Sequence, residues 1–257
     1  MKRCPGAALV LLTLAVFCRL AGAAEGGDET RRYYGYAYDL KTGRYLYTEV
    51  HEQVYRGGQW ARGRIRFYAA DGRAIGDKTL DFSAHPYVPV YRFEIPAEHY
   101  VEAITEVGKT VARLHKQADG KTASKIADVD DNTAGDSGFH SYLVAHFDEL
   151  MRRDTLAFNF IVAGNLDRYR FRAKRIDDGQ FQGQPSVRVR VEPDSLLRYL
   201  VSPLELAYEP VSKKLLEYRG ISNVHDPATG KAYNARIVYP DQPPADAPKT
   251  LPPLTPG

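Results

Sequence analysis

Residues 33–49 read Tyr33-Tyr34-Gly35-Tyr36-Ala37-Tyr38-Asp39-Leu40-Lys41-Thr42-Gly43-Arg44-Tyr45-Leu46-Tyr47-Thr48-Glu49. Tyr34, Tyr36 and Tyr38 recur at every second position. Asp39 to Gly43 supply turn residues, and Tyr45, Tyr47 and Glu49 resume the rhythm through Val54. A period of two sends neighbouring side chains to opposite faces of a strand. Aromatic alternation on both sides of an Asp/Gly turn therefore predicts a β-hairpin.

The same pattern extends outward from this hairpin. Gly57-Gly58 breaks the chain, and strands are expected over 62–68, 74–82, 90–95, 100–107 and 110–117. The polar stretch from Ala118 to Gly138 reads as a surface loop. Phe139, Leu143, Phe147 and Leu150, with Tyr142 beside them, then fall on one stripe of 3.6-residue period. That stripe predicts a helix over 139–152, capped by Asp136 or Ser137. Strands follow over 155–163, 168–176, 186–192, 204–209, 214–219 and 232–239, with a short helix expected over 195–201. Many short strands with short connections favour antiparallel pairing, and so long a sheet curls. The expected fold is mainly β: a large curved antiparallel sheet or half-barrel with one long and one short helix. The long helix should cover one face or mouth of the sheet.

The chain has 257 residues, with 35 Lys and Arg against 32 Asp and Glu. Its first 23 residues carry Lys2, Arg3 and Arg19 and no acid, so removing them leaves 32 against 32, a net charge of zero. A neutral remainder lacks the concentrated basic footprint that nucleic-acid binding needs. The basic start, the apolar run from Ala7 to Cys18 and the small residues Ala21-Gly22-Ala23 have the layout of a secretory signal peptide over 1–23. Cleavage there predicts a periplasmic or secreted protein without cysteine, because Cys4 and Cys18 are the only two. That excludes a disulfide scaffold and a cysteine-rich metal site. No other apolar segment is long enough to be transmembrane. One β-rich domain is expected over 33–239. The proline-rich tail, 240–257, is expected to be disordered.

Three short segments, Ala37-Tyr-Asp-Leu-Lys-Thr-Gly43, Phe67-Tyr-Ala-Ala-Asp-Gly72 and Glu217-Tyr-Arg-Gly-Ile-Ser-Asn223, resemble exported β-rich bacterial proteins of unassigned function. More distantly, the layout is similar to periplasmic lipoprotein-carrier half-barrels. That likeness implies a curved sheet and helices cradling acyl chains. It carries no binding residue across, because carriers open with a helix and this chain opens with a tyrosine-rich hairpin.

No catalytic or metal constellation stands out. Gly135-Asp-Ser-Gly138 has the look of a serine nucleophile segment, but a helix cap explains Asp136 and Ser137. Gly108-Lys109-Thr110 lacks the upstream glycine of a phosphate loop, and His51-Glu52 has Tyr55 where a second zinc histidine belongs. Asp128, Asp130 and Asn132 begin like a calcium loop, but Thr133 and Phe139 occupy its glycine and glutamate positions. No cofactor is expected.

The basic alternation is more informative. Arg168, Arg170, Arg172 and Lys174 share one strand face, and Arg188 and Arg190 alternate with Val187, Val189 and Val191. If both strands bury their apolar sides, these cations share the other face. Glu205 and Glu209 are expected to neutralise it. Otherwise Arg168, Arg170, Arg172, Arg188 and Arg190 form a binding surface for an anionic group. Eighteen tyrosines suit half-buried strands or the lining of an amphipathic cavity. Three functions remain in view: a non-enzymatic envelope protein holding a lipid or other amphipathic ligand in a curved-sheet cavity, an envelope interaction module with a filled core and a protein partner, and a hydrolase with dispersed groups. An apolar cavity favours the first, a packed interior the second, and a perturbed titratable cluster in a cleft the third.

Overall fold

The computed structural model describes residues 27–196 and 202–253. The expected leader, and most of the short helix expected over 195–201, lie outside the described residues. Eight strands come first: β1 (Glu29–Asp39), β2 (Tyr45–Arg56), β3 (Gln59–Ala69), β4 (Ala74–Asp81), β5 (Val90–Ile95), β6 (Tyr100–Val107), β7 (Val111–Ala118) and β8 (Lys121–Asp128). Then come β9 (Thr133–Gly135), the helices α1 (Gly138–Ala145) and α2 (Phe147–Met151), and β10 (Leu156–Val162). The chain finishes with β11 (Asp167–Phe181), β12 (Gln184–Pro193), β13 (Leu204–Tyr208), β14 (Leu215–His225) and β15 (Ala232–Val238).

All fifteen strands form one sheet, ordered β8-β7-β6-β5-β4-β3-β2-β1-β15-β14-β13-β12-β11-β10-β9. Every pairing is antiparallel except β9 on β10. The fold is the expected curved, mainly β sheet. Its edge strands, β8 and β9, are consecutive in the chain, so the sheet curls until its ends face each other. Lys125 of β8 reaches Asp167 at 2.8 Å, and Arg168 bonds the Asp128 carbonyl at 3.3 Å. Exposed charges along β8 also guard its edge against pairing with another chain.

The two halves of the chain meet at the β1–β15 pair. Three hairpins around this join use one loop design. Asp39, Glu209 and Asp226 each accept a backbone N–H two residues on: that of Lys41, Val211 and Ala228. Four residues after each acid the chain turns left-handed, at Gly43 (φ 71°), Lys213 (φ 59°) and Gly230 (φ 67°). The acid carboxylate satisfies donors that a tight loop would orphan, and glycine makes the positive φ cheap at two of the three sites.

Two expectations are corrected. Residues 118–138 are not one loop, because β8 and β9 lie within them. β8 is polar and lacks the apolar alternation that identifies a half-buried strand, and β9 is only three residues long. The helix over 139–152 is also two pieces, with His146 between them at φ −100° and ψ 22°. Ser137 makes no side-chain cap, and Asp136 is drawn away to Lys78. Gly138 pins the start of α1, because a Cβ there would come within 2.0 Å of the Tyr87 carbonyl oxygen.

The interior holds two apolar clusters. One joins β1–β8 to β14 and β15 through Ile65, Phe67, Tyr91, Phe93, Ile95, Ile104 and Leu114. The other packs Tyr142, Leu143, Phe147 and Leu150 of the helices onto Phe158, Ala173, Val187, Val189, Val191, Leu206 and Tyr208. Burying one such large side chain stabilises by about 1.5–3 kcal/mol. The helix stripe therefore docks on the apolar side of the sheet, as its period required.

A third buried region lies on the opposite, outward face. Val238, Tyr36 and Thr48 are cross-strand neighbours in one row, and Val50 lies two residues along β2. They are 6%, 1%, 0% and 3% exposed, yet none belongs to either interior cluster. The chain after β15 lies along this face. The Tyr38 hydroxyl donates to Asp246 at 3.1 Å, and the Tyr34 hydroxyl to the Pro252 carbonyl at 2.5 Å.

Candidate functional site

The five arginines singled out from the sequence all stand on the outward face of β11 and β12, and each has an acidic neighbour. Arg170 meets Asp194 at 2.9 Å, Arg172 meets Glu192 at 2.5 Å, and Arg190 meets Glu205 at 2.8 Å. Arg168 lies 3.4 Å from Asp130 and 3.9 Å from Asp128, where the sheet ends approach. Arg188 has the loosest partner, Asp177 at 3.8 Å. Cross-strand pairing places Glu205 opposite Arg190 and Glu192 opposite Arg172. Glu209 serves instead as a turn acid. The five do not converge; they are strung along two strands.

Arg188 joins a concave site. A hollow of about 210 Å³ is lined by Gln180, Phe181, Ser186, Arg188, Ala207, Glu217, Arg219 and Arg236, among others. Ala207 opens it, sitting in register between Arg188 and Glu217 on the neighbouring strands. Glu217 is 5% exposed and accepts from Arg219 Nε and Arg236 Nε, each at 2.5 Å. One buried carboxylate thus fixes two guanidinium groups, and their terminal nitrogens remain available to an incoming anion. Arg219 and Arg236 pair across β14–β15 and are each 38% exposed in their side chains. The signal was present in the sequence: Glu217 and Arg219 alternate on β14, and Arg236 does so on β15.

A second outward hollow, about 390 Å³, is lined by Arg64, Arg66, Tyr68, Ile75, Asp77, Pro96 and Ala97, among others. Asp77 pairs with Arg64 at 2.8 Å.

Between the two interior clusters runs a polar seam, buried at Lys78 and Glu102 and reaching the surface at Asn223. Lys78, 3% exposed, donates to Asp136 at 2.6 Å and to the Asn223 side-chain oxygen at 3.0 Å. Asn223 in turn donates to Glu102 at 2.8 Å, and Glu102 also accepts from Tyr100 at 2.7 Å and Tyr91 at 3.3 Å. Burial raises the Glu102 pKa, and the Lys78 ammonium opposes that rise. A Cβ on Gly164 would sit 2.3 Å from the Glu102 carboxylate, so the turn after β10 presses directly on it. Nearby, His51 Nε2 pairs with Glu49 at 2.8 Å, and the ring stacks on Tyr33. His140 Nδ1 lies 3.1 Å from the Tyr208 hydroxyl, and its pKa is lowered to about 4 by burial and then by the charge of His51.

Except for His51 Nδ1, which is buried without a hydrogen-bond partner among the described residues, these groups satisfy one another, which lowers the cost of burying them. The Ser137 hydroxyl donates to Asp136 at 2.7 Å, so a carboxylate and not a histidine holds it. Among the described residues no three His, Cys, Asp or Glu side chains gather in a metal-like group. No described helix is long and apolar enough to cross a membrane. Compared with family models, curated proteins and solved structures, the chain matches none of them.

Proposed function

We propose that this protein is a non-enzymatic interaction module of the cell envelope that docks an acidic segment of a partner protein at the Arg188–Arg219–Arg236 groove. The observation that carries this reading is the single buried Glu217 holding both Arg219 and Arg236 at 2.5 Å. Guanidinium groups fixed before the partner arrives lose little freedom on binding, and their planar forks suit carboxylates. The apolar packing of the interior supports the reading as well, and both hollows described above lie outside. The smaller has room for side chains and is mostly polar. An acyl chain would need a longer apolar trough.

The test is calorimetric titration with hexaglutamate at rising ionic strength. Saturable binding that weakens with salt is expected, along with at least about tenfold loss in Arg188→Glu, whose partner Asp177 is 3.8 Å away. Arg188 is chosen because removing Arg219 or Arg236 would strand the buried Glu217. Equal affinity in a folded Arg188→Glu protein would end this reading.

A second reading, capture of an amphipathic ligand, draws on the other hollow. Arg66 there has no ion pair among the described residues, and Ile75, Pro96 and Ala97 supply an apolar side. Dodecanoate titration with Arg66→Glu tests it; binding unaffected by the substitution rejects it.

A further inference from the structure

The outward tyrosine patch has a property that neither groove shares: it is already occupied. Tyr34, Tyr36 and Tyr38 stand on one face of β1, and Tyr38 meets Tyr45 of β2 edge-on at 5.3 Å. Tyr36 lies under cover at 1% exposure, between two tyrosines whose hydroxyls bond the tail. The tail takes neither helix nor strand from Pro240 to Pro253, and six of those fourteen residues are proline. It touches the sheet and its turns at several points. Lys214 holds Asp241 at 2.7 Å near its start, and Thr250 crosses the β3–β4 turn. At that crossing a Cβ on Gly72 (φ 84°) would come within 2.5 Å of the Thr250 hydroxyl, so a larger residue there would have to push that side chain aside.

The chemistry of the pair is general. A proline has no N–H, so a proline-rich segment can lie on an apolar face without burying unsatisfied donors. Its carbonyls still need donors, and tyrosine offers a flat ring beside a hydroxyl. The Tyr34 hydroxyl donates to the Pro252 carbonyl in this way. We infer that the outward face of β1 and β2 is a binding surface for proline-rich segments. The chain's own tail fills it in cis, and a proline-rich partner segment gains access by displacing that tail. The tail belongs to the same chain, so a partner competes with a high local concentration rather than with a permanent contact.

The experiment uses a chain ending at Asp241 and a fluorescein-labelled peptide of residues 242–257. Fluorescence anisotropy is expected to show saturable binding to the shortened chain and at least about tenfold weaker binding to the full chain, whose tail occupies the face. A peptide with every proline replaced by alanine is expected to lose most of its affinity. Should the shortened chain fail to fold, Asp246→Ala in the full chain removes a tail contact while leaving the surface intact. It is expected to bind the peptide several-fold more tightly than the unmodified chain. The inference is overturned if the folded, shortened chain ignores the peptide, if the alanine peptide binds equally well, or if Asp246→Ala brings no gain. Hexaglutamate binding at the arginine groove is a separate readout and stands or falls independently.

Discussion

Two regions of this molecule hide tyrosines in different ways. Tyr47, Tyr91 and Tyr208 are buried because the sheet curls around them, and burial raises each phenol's pKa. Tyr36 is buried as deeply, on the opposite face, with the post-β15 chain lying across its neighbours. The inner tyrosines are enclosed by hydrogen-bonded strands and, at Tyr208, by the two helices. The outer ones are covered by a segment that joins no strand ladder. Opening the inside breaks the fold, whereas opening the outside lifts one strap. If so, substitutions inside should cost global stability, and changes to the strap should cost local protection first.

The largest effect is expected at Lys78–Asp136, where both side chains are almost wholly buried (3% and 4% exposed). Asp136→Ala leaves an ammonium in the interior without its carboxylate, which costs about 3–5 kcal/mol. Lys78→Met combined with Asp136→Leu should recover much of that, because no charge is then stranded. Urea denaturation measures both. A loss below about 1 kcal/mol in Asp136→Ala would mean that water reaches the seam and that the inside is not closed.

Acid tests the same enclosure. His140 has its pKa lowered from 6.5 to about 4, mainly by burial. The unfolded chain therefore binds a proton that the folded chain refuses, and stability falls as pH drops from 6.5 towards 4, by up to about 3 kcal/mol. Glu102 acts in the opposite sense. Its pKa is raised, so its contribution is largest below 4.5 and is lost as pH rises through the raised value. Glu102→Gln should steepen the acid loss, and His140→Gln should make it shallower. Urea midpoints at pH 4, 5, 6 and 7 decide this, and identical profiles for both variants would break the assignment.

How much of this was legible beforehand follows from which residues carry period-two information. The hairpin of Tyr33–Glu49, the helix stripe of Phe139–Leu150 and the outward arginines were readable, because each element has one apolar face. β8 was not, since all but Ala127 of its residues are exposed. The break at His146 was hidden because Phe147 and Leu150 continue the stripe through it. Lys78 was invisible for another reason: its partners Asp136 and Asn223 are 58 and 145 positions away, and no local pattern encodes their meeting. The outer patch escaped because proline-rich composition reads as disorder. Composition tells whether a segment can build its own core, and says nothing about whether it can lie on someone else's.

Removing the strap is the sharper comparison. A chain ending at Asp241 loses the tail's bonds to Tyr34 and Tyr38 and should uncover Tyr36 between them, at a cost of about 1.5–3 kcal/mol for one large side chain. Hydrogen exchange should rise in β1 and β2 while α1, β12 and β13 stay protected. Uniform loss across the sheet would show that the tail is part of the one cooperative core, and the distinction between the two regions would fail.

The smallest effect is expected on the outward face beyond the strap, at Arg170. Its side chain is 65% exposed and meets Asp194 at 2.9 Å. An exposed pair of this kind gains little attraction in water and loses side-chain freedom, so Arg170→Ala should shift stability by less than about 0.5 kcal/mol. Asp194 keeps its backbone hydrogen bond to the Arg170 carbonyl whatever the side chain. The test of the comparison is therefore one of ratio. Lys78 and Arg170 are both cations on strands with a carboxylate within 3 Å. If the enclosed one matters several times more than the exposed one, enclosure and not pairing sets the energy. If the two losses are equal, the sheet interior is solvated and both regions are surfaces.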